Sequence, residues 1–254
     1  MVIPLIELAI ALGLLGSMWF SMEVGRRIGI RAKLGGTEVA QLGTMQGAIL
    51  GILALLLGLS FSGATTRFVE RQDVLVREAN SIGTAYLRAD LLGSPWRESI
   101  KNHLRDYTAA RIELFDSVRR EEAMMINARL QGLHAEMWSI ALEGVAENQG
   151  ITNAVLPPLN DVIDLLATRN ASARRHLPSL VVGLLFASAL AAMGTVGYGL
   201  GLTKNRHRFA AATLCLLVSV SLWTTIDLDF PSVGLIQIND APLLELHASF
   251  VRTP

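Results

Sequence analysis

The sequence has little of what most soluble proteins use for stability and catalysis. Of its 254 residues only 17% are charged, against about a quarter in ordinary soluble domains, and 6% are aromatic. The single cysteine, Cys215, excludes an intrachain disulfide, and its apolar neighbours in the sequence indicate a packing residue. The formal net charge is zero and no basic-aromatic array is present, so nucleic acid is not an expected partner.

Catalytic motifs are also missing. The five histidines show no metal-ligand spacing, and the chain has no nucleophile elbow, phosphate loop or dinucleotide fingerprint. The segment GYGLG at residues 197–201 lies inside an apolar block with no strand before it. We therefore expect no enzymatic activity, no catalytic residue and no organic cofactor.

What the sequence does have is four apolar blocks, each about 20 residues long and thus able to span a bilayer as a helix. Basic residues follow the first block and none precedes it, the reverse of a signal peptide. Between the second and third blocks the chain is charged and shows amphipathic helical periodicity without strand alternation. We predict an all-α membrane protein with four transmembrane helices and a central extramembrane helical bundle between the second and third. The predicted parts are 1–63 (transmembrane helices 1 and 2), 64–178 (bundle), 179–226 (transmembrane helices 3 and 4) and 227–254 (C-terminal tail).

The second apolar block continues without a proline into charged sequence, which predicts one long helix over residues 43–92 that leaves the membrane. Small residues recur every three or four positions in its apolar half, where they line a pore or let another helix approach closely. That stripe consists of Gly43, Gly47, Gly51, Gly58 and Ser62. Beyond the membrane the helix carries a heptad built on Phe68, Leu75, Ile82 and Ala89. The third block has a similar small-residue stripe from Gly183 to Gly199, which predicts packing against the second block or against a neighbouring subunit.

Loop charge predicts the orientation in the membrane. The two short loops, after the first and third blocks, carry seven basic residues: Arg26, Arg27, Arg31, Lys33, Lys204, Arg206 and Arg208. Basic short loops stay in the cytoplasm, so the central bundle is predicted to lie outside it.

Two groups of polar residues are candidate sites. Asp227 and Asp229 follow the last apolar block and are candidate ligands of a hard cation such as calcium; an interfacial cap or a salt bridge is the alternative. On the charged part of the long helix, repeated polar rings would form if identical helices surround an axis; pairing within the bundle is the alternative. The ring candidates are Glu78, Asn80, Tyr86, Arg88 and Asp90.

Several segments resemble a bacterial membrane family labelled bestrophin-like. They are EVGRRIG at residues 23–29, the glycine-rich second helix, EANSIGTAYLRADLL at 78–92, and DLDFPSVGLIQIND followed by APLLEL at 227–246. The resemblance implies a bacterial inner-membrane protein. Bestrophins are pentameric anion channels, some bacterial relatives passing cations. Their second membrane helix lines the pore, and an acidic calcium clasp follows the last.

The chain departs from bestrophins in two respects. Their pores narrow at bulky apolar rings, whereas one face here is Gly and Ser, and their helical domain is cytoplasmic, against the loop charge here. Our first hypothesis is a homo-oligomeric ion channel with the second helix near the axis, and with lipid, further copies and inorganic ions as partners. The alternative is a non-conducting membrane sensor or assembly scaffold whose bundle binds a partner.

Overall fold

The computed structural model describes residues 3–32, 35–116, 120–203, 207–231 and 234–252. The basic loop residues Lys33, Lys204 and Arg206 lie outside these ranges. Across the described ranges the chain is helical, without strands. The helices are α1 (Ile3–Arg31), α2 (Gly36–Arg88), α3 (Trp96–Asp116), α4 (Arg120–Ala146), α5 (Thr152–Ala173), α6 (Ser179–Leu202), α7 (Arg208–Asp229) and α8 (Ala241–Arg252).

Four of these helices are long and apolar enough to cross a membrane: α1, α2, α6 and α7. The predicted fold class is confirmed. The predicted long second helix is also confirmed, since α2 runs through Gly63 without a break for 53 residues. At 1.5 Å per residue it is about 80 Å long, well beyond the roughly 30 Å of a hydrocarbon core.

The chain divides into two compact units. Unit 1 comprises residues 1–68 and 175–237, and unit 2 comprises residues 69–174 and 238–254. Unit 1 holds the four membrane-length segments around a core that includes Met18, Leu53, Met193 and Cys215. The thiol of Cys215 is fully buried there.

Unit 2 packs α3, α4, α5 and α8 with the second half of α2. The predicted heptad follows the buried side of α2, because Leu75 and Ile82, with Ala89 just after the end of the helix, belong to the core of this unit. Phe68, the first residue of that heptad, is half-buried and belongs to unit 1. Tyr86, one turn beyond Ile82, stacks on Phe250 of α8 with ring centroids 4.3 Å apart. The tail of the chain therefore completes this core.

Helix α5 begins earlier than the proline pair suggests. We expect from sequence a helix opening at Pro157, yet α5 starts at Thr152 and contains both prolines. Pro158 has no N–H to donate to the carbonyl of Ala154, four residues earlier. Arg88 of α2 donates to that carbonyl instead, at 3.0 Å. A side chain from another helix thus satisfies the acceptor that proline leaves free.

Candidate functional site

The small-residue stripe of α2 is uncovered within the chain, although its first member, Gly43, lines a cleft that α2 forms with α6 and α7. Gly43, Gly47, Gly51, Gly58 and Ser62 are all exposed. A Cβ added at any of the four glycines would meet nothing within 4 Å. Within the described part of the chain, no other helix comes this close to these four glycines.

The opposite side of the same segment is covered. Leu53, Ser60 and Ala64 are buried in unit 1, and the amide of Gln46 donates to the carbonyl of Thr195 on α6. Polar side chains of the membrane half therefore divide between two sides: Gln46 and Ser60 face the chain itself, while Thr44 and Ser62 remain exposed.

Closely packed glycines do occur in unit 1, but between α1 and α6. A Cβ on Gly197 would lie 2.9 Å from the Cα of Met22, and one on Gly201 would lie 2.7 Å from the backbone nitrogen of Ile30. A Cβ on Gly29 would lie 3.2 Å from the Cα of Gly201. The two backbones touch here because no side chain separates them.

The expected α6 stripe lies on a different face from this contact. Gly183 has open space around it, whereas a Cβ on Gly199 would lie 2.6 Å from Nε2 of Gln46. Only the C-terminal part of that stripe, at Thr195 and Gly199, therefore meets α2 within the chain.

The carboxylate of Asp227 is buried in the last turn of α7 and closes a backbone turn. It accepts hydrogen bonds from the backbone N–H groups of Leu235 and Ile236, both at 2.8 Å. This resembles a capping contact, in which a carboxylate satisfies amides that have no other partner.

Asp229, at the end of α7, binds groups from two other segments. Arg67 Nε of α2 donates to Oδ1 at 2.9 Å, and the backbone N–H of Leu177 donates to Oδ2 at 2.8 Å. The ring of His176 contacts the backbone carbonyl of Asp229 through Nδ1 at 2.9 Å and stacks on Phe230. Asp229 therefore joins α2, the segment before α6, and the end of α7.

A calcium ion takes six to eight oxygen ligands, and Asp227 and Asp229 use theirs for amide and guanidinium donors. In the described ranges no group of three or more His, Cys, Asp or Glu side chains is arranged to hold a metal ion. The cation site therefore stays a prediction.

The five ring candidates do not share one environment. Glu78 and Tyr86 are buried inside unit 2, whereas Asn80, Arg88 and Asp90 are exposed. Asp90 pairs with Lys101 at 2.5 Å, and the hydroxyl of Tyr86 accepts a hydrogen bond from Arg105.

Glu78 is the centre of a buried charged network in unit 2. Arg111 binds its carboxylate with two parallel hydrogen bonds, Nε to Oε1 at 2.5 Å and Nη2 to Oε2 at 2.8 Å, and both side chains are fully buried. Tyr107 donates to the same carboxylate at 3.1 Å. This two-pronged geometry is the strongest form of ion pair between these side chains.

The network shifts several pKa values. Burial opposes ionisation of Glu78, but the hydrogen bonds and charge of Arg111 outweigh it, and the pKa of the carboxyl is lowered. Burial, together with the charge of Glu78, raises the pKa of Tyr107 well above its usual range. Burial lowers the pKa of His134 to about 4, so this imidazole is neutral at pH 7. Burial also lowers the pKa of Arg169 to about 10, with the charge of Arg111 adding to the effect.

Sequence reasoning did not find the partners in these clusters. Arg111 gave one signal, since it is a charge within an otherwise apolar helix face. Arg67 gave none, because a basic residue at a membrane boundary fits a headgroup contact equally well.

The helical fold and the four membrane-length helices define a multi-pass membrane protein with an extramembrane helical unit. The family comparison is specific: the bestrophin-like domain matches residues 15–243. The chain belongs to the bestrophin-like family. A search of curated proteins finds no match.

Two solved structures share the fold. Both are of a bacterial bestrophin homolog from Klebsiella pneumoniae, each carrying a different point mutation. One aligns with a TM-score of 0.61 at 14% identity, covering 92% of this chain and 97% of that one. The other aligns with a TM-score of 0.58 at 14% identity, covering 94% and 96%. At this identity the likeness concerns the fold.

Proposed function

We propose that this protein is one subunit of a homo-oligomeric ion channel in which α2 lies near the symmetry axis and inorganic ions pass along it. The observation that carries the proposal is the uncovered small-residue face of α2. Membership of the bestrophin-like family supports ion conduction as the activity, since bestrophins are channels.

The glycines of that face need an explanation outside the single chain. Glycine within a helix costs about 1 kcal/mol relative to alanine, and Gly43, Gly47, Gly51 and Gly58 have open space beside them. No contact with the described residues of unit 1 requires the absence of a Cβ at these positions. Close approach of a second α2, or a narrow water-filled axis, accounts for all four.

The uncovered face also continues past the membrane half of α2. Exposed apolar residues recur there at helical spacing, with Val69 49%, Val76 39% and Leu87 69% exposed. The interleaved polar positions Asp73, Asn80 and Thr84 are exposed as well. This side of α2, on which exposed apolar and polar residues alternate, lies opposite the side that is buried in unit 2. Such a side suits contact with identical helices around an axis.

Thr44 and Ser62 are the side chains proposed to face the ion path in the membrane half. Both are exposed small hydroxyl residues on the uncovered face. Gln46 and Ser60 face the chain's own helices and are assigned a packing role.

The decisive experiment reconstitutes the purified full chain in liposomes, with ion flux and particle symmetry measured on the same preparation. Flux through a symmetric assembly is the expected result. A symmetric assembly without flux would favour the alternative of a scaffold or sensor, and a monomer without flux would exclude the channel.

Gly51→Leu tests whether copies of the chain meet along the uncovered face of α2. A leucine on the uncovered face should overpack the contact between copies and dissociate the assembly, while the fold of the subunit is kept because nothing in the chain lies within 4 Å. Ile52→Leu, at an exposed neighbouring position, is the control. An unchanged oligomer of Gly51→Leu on native electrophoresis would contradict the placement of α2.

We further propose that the protein lies in the bacterial inner membrane with unit 2 outside the cytoplasm, on the basis of loop charge. Glu122 on α4 is exposed, so Glu122→Cys gives an accessible probe once Cys215 has been replaced by Ala. Labelling of intact cells from the periplasm is expected. Labelling only after lysis would reverse the orientation.

A further inference from the structure

Unit 1 contains a cleft between the beginning of α2, the end of α6 and the beginning of α7. Its volume is about 360 Å³, within the range of small-molecule sites. The walls are mainly apolar, including Val39 and Leu42 of α2, Leu200 of α6 and Leu214 of α7. All three helices are of the membrane-spanning type, so the surrounding solvent for these walls is lipid.

Small residues give the cleft its shape. Gly43 on one wall has nothing within 4 Å of an added Cβ, so this wall is open. On the facing wall Gly199 admits the amide of Gln46, which would lie 2.6 Å from a Cβ there. Gln46 donates to the carbonyl of Thr195, so its polar amide is used within the protein. The interior of the cleft therefore offers an apolar surface.

The end of the cleft at the α6–α7 connection is different in character. Thr203 and His207 line it, and Arg208 follows at the first position of α7 and is exposed. An apolar cleft with a basic end, at the depth where spanning helices begin and end, matches a lipid with an anionic headgroup.

We infer that this cleft binds one anionic phospholipid per chain, with an acyl chain against the apolar walls and the phosphate at Thr203, His207 and Arg208. The inference concerns lipid binding and does not require conduction.

Native mass spectrometry of the purified full-length chain in detergent tests this inference, with phosphatidylglycerol and phosphatidylcholine as the two probes. We expect one tightly retained phosphatidylglycerol per chain. Ala210→Phe places a ring in the cleft and should weaken retention of both lipids at least about tenfold. Its control is Ala187→Phe, the same substitution at an exposed position of α6 that does not line the cleft.

Arg208→Gln tests the contribution of the basic charge to lipid binding without filling the cleft, because it changes only an exposed side chain. It should reduce the preference for phosphatidylglycerol over phosphatidylcholine about fivefold, since one basic residue contributes about 1 kcal/mol to anionic lipid binding. Arg31→Gln, at an exposed basic position outside the cleft, should leave the preference unchanged. Equal losses in both members of a pair would show non-specific annular lipid and overturn the inference. A wild-type oligomer without retained lipid that dissociates on Ala210→Phe would also overturn it, by identifying a second copy as the occupant.

Discussion

The helices inside unit 1 and the helices inside unit 2 are held together by different kinds of contact. In unit 1 the closest helix contact, between α1 and α6, exists because side chains are absent at Gly25, Gly29, Gly197 and Gly201. In unit 2 the centre of the core contains a fully buried Glu78–Arg111 ion pair surrounded by apolar residues. At these two contacts, unit 1 gains its specificity from the lack of a Cβ and unit 2 from a buried ion pair; unit 1 has in addition the Arg67–Asp229 pair at the end of α7.

This difference follows from the two solvents. Lipid tails are as apolar as leucine, so helices in a bilayer associate through close backbone packing and not through the hydrophobic effect. In water the hydrophobic effect drives association but leaves the relative register of amphipathic helices loosely defined. A buried ion pair that is satisfied only in one arrangement then fixes the register.

Among the variants that test this difference between the units, Arg111→Met should have the largest effect on stability, because it leaves the carboxylate of Glu78 buried without its partner. We expect a loss of about 3–5 kcal/mol in the free energy of unfolding of unit 2, followed by the fluorescence of Trp138. The double variant Glu78→Leu/Arg111→Met should recover most of the loss. Arg129→Met, which removes an exposed ion pair with Glu113, is the control and should change little. A loss of similar size in the double variant would mean that packing, and not the charge, is responsible.

Gly197→Ala tests the corresponding contact of unit 1. The added methyl would meet the backbone of Met22, so the helices must separate, at a cost of about 3 kcal/mol. Gly13→Ala on α1, with nothing within 4 Å, should instead gain up to about 1 kcal/mol from helix propensity. Thermal unfolding in detergent measures both. Effects of the same sign would remove the distinction between covered and uncovered glycines.

The pH dependence of unit 2 gives a smaller effect. His134 has a pKa of about 4 in the folded chain against an ordinary value of 6.5, so the unfolded chain takes up the proton first as the pH falls. The contribution of this group is therefore complete above pH 6.5 and declines toward pH 4, by at most about 3 kcal/mol. His134→Phe should make the free energy of unfolding independent of pH across that window. A wild-type free energy of unfolding without slope between pH 6.5 and 4 would disprove this role of His134. Glu78 contributes to the pH dependence at lower pH, because its stabilising effect is lost only as the pH falls through its lowered pKa.

Arg88→Met should have the smallest effect. It removes the donor to the carbonyl of Ala154 that Pro158 leaves free, and a single hydrogen bond of this kind contributes about 1 kcal/mol. In the double variant Arg88→Met/Pro158→Ala the helix supplies its own N–H, so the loss attributable to Arg88 should disappear. Persistence of the full loss in the double variant would exclude this role for Arg88.

Much of the fold could be predicted from sequence because the signals are local. The length of the apolar blocks gives four spanning helices, and the absence of proline across Gly63 gives the single long α2. The heptad of Leu75, Ile82 and Ala89 gives the buried side of that helix correctly.

Pairings between distant residues could not be predicted in the same way. Helical periodicity shows that α6 has small residues on more than one face, but not that Gly197 and Gly201 meet α1. The pairing of Glu78 with Arg111 depends on how α2 and α3 pack: the sequence shows Arg111 as a charge on an apolar helix face and Glu78 as a candidate for pairing within the bundle, but it does not show that the two meet. The start of α5 was misplaced because Pro157 and Pro158 favour a helix start, whereas Arg88, from a distant part of the chain, makes the longer helix acceptable.

Asp229 has a mechanical consequence. Its carboxylate is held both by Arg67 of α2 and by the backbone N–H of Leu177 just before α6, and the residue itself ends α7. Rotation or sliding of any one of these three helices at that level must stretch a charge-assisted hydrogen bond to another. Through these hydrogen bonds of Asp229, a force applied to α2 near Arg67 is transmitted to α6 and α7 together.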